Sequence, residues 1–218
     1  MSASLEPLPF APRCLSIDLE VGKSDGRIHK FAAVRGDTGA ALHFTGGDLK
    51  SALAQLDDFA ADASFLLGHN LTSFDRPHLQ AIASDLRLLS LQDVDTLRLN
   101  PLAFPRNPYH HLVKDYQDGA LKHGQLNDPE LDARLTLKLF ADQRDALIAC
   151  HARAPDLIRA WHWLTTQDER NHGFDTFFAT IRRQPRPEAQ EAKAAIAGLL
   201  DGQACAGQVE RILEHGDQ

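Results

Sequence analysis

The run Cys14-Leu15-Ser16-Ile17-Asp18-Leu19-Glu20 constrains this chain more than any other stretch. An apolar, partly β-branched segment leads straight into two carboxylates one residue apart. Successive strand side chains alternate between faces, so Asp18 and Glu20 share one face while Ile17 and Leu19 pack on the other. Two anions on one face repel, and the pair persists at low cost only where that face is solvated or a cation sits on it. Whether later segments bring further carboxylates to the same face decides between a wet strand and a metal site.

With 218 residues, 43% of them hydrophobic, the chain can build one sizeable core or one core with a small appendage. Met1 to Pro12 lacks the basic start and unbroken apolar run of a signal peptide, and no segment approaches membrane-spanning length. The expectation is a cytoplasmic protein with no membrane association. Cys14, Cys150 and Cys205 are far apart and odd in number, so they read as reduced packing residues. A formal net charge of -7 argues against binding nucleic acid through global charge. It leaves room for a metal-dependent nuclease, whose acidic site holds cations that supply the positive charge.

Taken in order, strands are expected at 14–20, 29–34 and 41–44, the last two joined by the hairpin signal Gly36-Asp37-Thr38-Gly39. The period then switches to 3.6. Asp48 caps a helix carrying Leu49, Leu53, Leu56 and Ala60, Ser64 to Leu67 is a short strand, and Ser73 can cap a helix with Leu79, Ile82 and Leu86. Val94 to Leu97 reads as another strand, and Pro101, Pro105 and Pro108 predict a loop or a broken helix over 100–108. A helical piece is expected over Tyr109–Gln117. Asp128 as N-cap, Pro129 at the first helical position and Leu131, Leu135 and Leu139 mark a helix running to about Cys150. This is an α/β pattern of the ribonuclease H type, a mixed sheet of three antiparallel strands plus parallel additions flanked by helices. Residues 1–150 form the expected catalytic domain and 151–218 a helical C-terminal extension with a hinge at Gln184-Pro185-Arg186-Pro187.

Two further carboxylates sit at expected helix starts, where the macrodipole tolerates an anion: Asp75, after Gly68-His69-Asn70 and Phe74, and Asp132, before Ala133-Arg134. Each is also the most ordinary place for an acidic residue. In order and spacing, Asp18-Leu19-Glu20, then Gly68-His69-Asn70 with Phe74-Asp75, then Asp132-Ala133-Arg134 resemble the three motifs of the DEDD exonuclease superfamily over residues 14–150. The resemblance implies a phosphodiesterase that removes nucleotides from single-stranded 3′ ends, DNA being favoured. It implies Asp18, Glu20, Asp75 and Asp132 as ligands of two divalent cations, Mg2+ or Mn2+. It carries substrate contacts onto Leu19, His69 and Asn70, although the main role of His69 and Asn70 is to shape the turn that presents Asp75. Arg27-Ile28-His29-Lys30-Phe31 and Tyr109-His110-His111-Leu112-Val113 also look like the exonuclease module preceding some bacterial RecQ-type helicases, which would make a helicase domain the partner.

The chain departs from the superfamily at the general base. Where its branches place His or Tyr, five or four residues before the last Asp, this chain has Asn127 and Asp128. Three explanations stand. His123, in a Gly-containing loop, swings over the metals; or Asn127 only orients the attacking water; or the domain binds ends without turnover. His110 and Lys114, near Arg106 and Lys122, form either a patch along the substrate groove or a solvated helix face, the latter favoured. Trp161 and Trp163 either stack on bases or, more often for such residues, bury a helical appendage, and Arg182, Arg183 and Arg186 offer a phosphate contact. The C-terminal helices could alternatively serve as an oligomerisation arm.

Overall fold

The protein is described by a computed structural model covering residues 13–107, 110, 112, 128–167 and 172–215. Its centre is β1 (Cys14–Val21), which pairs antiparallel with β2 (Ile28–Arg35) and parallel with β4 (Phe65–Gly68). The edges are β3 (Ala41–Phe44), antiparallel to β2, and β5 (Gln92–Asp95), parallel to β4. The result is an α/β fold on a five-stranded mixed sheet of order β3-β2-β1-β4-β5.

The two-residue period of β1 feeds two cores. Leu15, Ile17 and Leu19 join Phe31, Leu53, Leu56 and Leu79 on the face covered by α1 (Leu49–Phe59) and α2 (Asp75–Ile82). Cys14 faces the other side with Phe65, Leu67 and Val94, beneath α3 (Thr96–Ala103), α4 (Pro129–Arg153), α5 (Pro155–Thr165) and α6 (His172–Arg182). Helices α7 (Ala189–Leu200) and α8 (Ala206–His215) follow, with Ala192 and Ile196 packing on Trp163 of α5 in a third, smaller cluster. Among the described residues no helix is long and apolar enough to cross a membrane.

Several expectations need correction. Ser73 does not cap α2, which starts at Asp75 with no side-chain cap, because residues 70–74 close as a turn on the Asn70 carbonyl. Leu86 lies beyond the end of that helix. The strand expected over 94–97 stops at Asp95, whose side chain accepts from the Leu97 N–H and starts α3 instead. That helix continues through Pro101 to Ala103, despite the backbone hydrogen bond that proline forgoes, so the loop or break expected over 100–108 begins only at Phe104. The expected helix over 109–117 falls almost wholly outside the described residues.

The expected division at residue 150 runs through a shared core: Ile158, Phe174, Phe177, Phe178 and Ile181 lie in the same cluster as the sheet's Phe65 and Val94. Trp163 is buried and Trp161 packs against that core, as a packing role requires. Arg182 is buried too, donating to the Pro185 carbonyl and the Gln184 side chain, so it pins the expected hinge and offers no phosphate contact. The Cys14 thiol is fully enclosed, and burial pushes its pKa up to about 12.

Candidate metal centre

Asp18 and Glu20 project from β1 on the face that carries Cys14 and Ser16, and α4 lies across this face. The placement of α4 follows from its first turn. Asp128 accepts from the N–H groups of Glu130 and Leu131, Pro129 occupies the first helical position, and the Ser16 hydroxyl donates to the Ala133 carbonyl at 2.9 Å. That buried bond fastens the helix start to the strand one residue from Asp132. One carboxylate oxygen each of Asp18, Glu20 and Asp132 then lies within 4.8 Å of the others. Asp18 and Glu20 are half-buried and Asp132 is buried.

Asp75 approaches from a different direction and does a different job. The parallel pairing of β1 with β4 covers Cys14 to Ser16, because β4 ends at Gly68. Beyond that point the Asp75 Oδ1 accepts from the Leu19 N–H at 3.0 Å, supplying the acceptor a longer β4 would have given. The carboxyl is only 2% exposed. Burial pushes its pKa up to about 7, the Leu19 and Asp75 backbone N–H groups oppose the rise, and the charges of Asp95 and Glu20 add to it. Asp75 thus borders the group at Leu19 and Glu20 and lies outside the three-carboxylate cluster itself.

The loop between β4 and α2 is held from β5. Gly68 lets the chain turn here, since a Cβ would sit 2.8 Å from that of Leu71. The Asn70 backbone takes a left-handed φ of 74°, and its N–H donates to Asp95 Oδ1. His69 Nδ1 lies 2.9 Å from the Thr96 hydroxyl, which donates to the Gly68 carbonyl. His69 and Asn70 are half-buried and shape the turn before Asp75.

Leu19 requires a correction: its side chain is 4% exposed in the core on the opposite face, so only its backbone reaches the site. Of His110, the carbonyl accepts from Asn100 Nδ2 at 3.3 Å. Lys114, His123 and Asn127 lie outside the described residues. Two contributors were missed in the sequence, Ser16 and Asp95. The signal for Asp95 was available: an Asp closing an apolar run before Thr96 and Leu97 is a helix-cap pattern. Ser16 carried no such signal.

The donor set is chemically uniform. Three carboxylate oxygens, with no thiol or imidazole among them, suit a hard divalent cation such as Mg2+ or Mn2+. No protein-family model, curated protein or solved structure matches the chain.

Proposed function

We propose that this protein is a metal-dependent 3′-to-5′ exonuclease of ribonuclease H-like fold, acting on single-stranded 3′ ends with DNA favoured. The observation that carries the reading is the meeting of Asp18, Glu20 and Asp132, from the central strand and a distant helix start, with Asp75 seated beside them at Leu19. The order β3-β2-β1-β4-β5, with β1 antiparallel to β2 and parallel to β4, is compatible with such a fold. Asp18, Glu20 and Asp132 would hold the cations, with Asp75 completing the set. Bound divalent cations supply Lewis acidity that lowers the pKa of water and offsets charge on a phosphodiester. Ser16 and the Asp128 cap keep Asp132 in register with the strand, and the Leu19 N–H keeps Asp75 oriented. His123 and Asn127 are the two candidates for handling the attacking water, and a RecQ-type helicase partner rests on the resemblance at 27–31 and 109–113.

The test is shortening of a 5′-labelled single-stranded oligonucleotide in Mn2+. Stepwise loss of 3′ nucleotides is expected, with Asp18→Ala reducing the rate by more than about 100-fold, beyond what loss of an outer-shell partner costs. Wild-type protein no faster than Asp18→Ala would sink the catalytic reading. Asn127, where the superfamily places a base, favours one second reading, a module that binds 3′ ends without turnover. A gel-shift with the same oligonucleotide and no shortening would select it. Running RNA and DNA of one sequence side by side assigns the sugar.

A further inference from the structure

Asp95 ends β5 and caps α3, yet capping uses only one of the four hydrogen bonds its carboxylate accepts. The Leu97 N–H donates to Oδ1 at 3.0 Å. The other three donors all belong to the loop between β4 and α2: the Asn70 N–H to Oδ1 at 2.9 Å, and the Thr72 N–H and hydroxyl to Oδ2 at 3.1 and 2.9 Å. The side chain is 2% exposed, so water does not compete for these donors. With Thr96 holding Gly68 and facing His69, the end of β5 fastens the loop at residues 68, 69, 70 and 72.

A loop held at so many points is one whose position matters. Asn70 takes a left-handed φ of 74°, which Asn tolerates better than most side chains, and the contacts around it hold it there. The loop leads directly into Asp75, whose bond to Leu19 depends on where that loop ends. We propose that Asp95 is a positioning residue for the metal centre, acting through residues 69–72 to hold Asp75 against the Leu19 N–H. This rests on the metal-site reading above, and it assigns to Asp95 no contact with cation or substrate.

The experiment combines hydrogen exchange of the metal-free full-length protein with Mn2+ titration. Asp95→Ala is expected to raise deuterium uptake in the 69–75 segment while leaving 135–150 unchanged, and to weaken Mn2+ binding about 10- to 100-fold, the usual consequence of losing an outer-shell partner. Asp95→Asn keeps an oxygen for Asn70 and Leu97 but turns an amide NH2 toward the Thr72 N–H, so it should fall between wild type and Asp95→Ala. Thr72→Val removes only the hydroxyl donor and should shift both readouts in the same direction by less. A purely structural role would raise uptake across the chain and leave Mn2+ affinity of the folded protein unmoved, which would overturn the proposal. Unchanged uptake at 69–75 in Asp95→Asn and Thr72→Val overturns it as well, even where Asp95→Ala fails to fold. If wild-type protein binds no Mn2+, the metal-site reading fails, and the positioning proposal falls with it even where the exchange data show Asp95 holding the loop.

Discussion

At Asp75, burial and ionisation oppose each other. Its carboxyl is enclosed, and its pKa of about 7 stands above the roughly 3.9 of an unfolded Asp, so the native state binds the proton more tightly than the unfolded one. Ionised Asp75 therefore destabilises the metal-free fold: the penalty is absent below about pH 4, grows between about pH 4 and 7, and is constant above. Three pKa units correspond to about 4 kcal/mol. Urea melts of metal-free protein should show Asp75→Asn more stable than wild type at pH 8 by up to about 4 kcal/mol. The gain should vanish toward pH 3, since the Asn oxygen still accepts from Leu19. Equal gains at both pH values would rule out burial of charge as the source. The acid itself was visible in the sequence as a first-turn carboxylate. Its bond to Leu19 was not, because that depends on β4 stopping one strand position short of it.

At the level of elements, the clearest dependence is of α6 on the sheet edge. Gly173 lies so close to β5 that a Cβ there would sit 2.1 Å from the Asp93 carbonyl oxygen, and backbone cannot yield. Gly173→Ala should cost about 1–3 kcal/mol in chemical denaturation as α6 is pushed off β5. The same helix holds a titratable network. Arg182 donates to His162 Nδ1 at 2.9 Å, so the imidazole proton sits on Nε2 and donates to Asp175 at 2.7 Å. Burial, with Arg182 and Arg186 nearby, lowers the His162 pKa, outweighing the opposing pull of Asp175. Stability from this group is present above the unfolded value of about 6.5 and lost as pH falls below it. The thermal midpoint of wild type should drop below pH 6.5, and His162→Gln should flatten that dependence. Local periodicity made most elements readable: β1, β3, α1 and the start of α4 fall where alternation, capping and proline placement put them. Pro101 misled because tertiary burial of Leu99 and Asn100 against α4 outweighs the propensity cost of proline within a helix.

For the molecule as a whole, the C-terminal helices belong to the fold. Removing residues after Cys150 would strip Ile158, Phe174, Phe177 and Phe178 from a core that also holds Phe65, Val94 and Phe140, exposing the sheet's second face. The truncated chain should lose cooperative unfolding and bind hydrophobic dyes; a truncated protein with a sharp, wild-type-like transition would show the two parts to be independent. No sequence pattern announced this, because amphipathic helices look alike whether they cover a neighbour or stand apart. β1 is the central strand of the finished sheet, and its parallel neighbour β4 follows it along the chain only after a hairpin and a helix. Such long-range closure slows folding. Until then a nascent chain presents an unpaired apolar edge, and the three carboxylates stay apart until α4 is made. The carboxylate cluster therefore forms only when the start of α4 docks on β1.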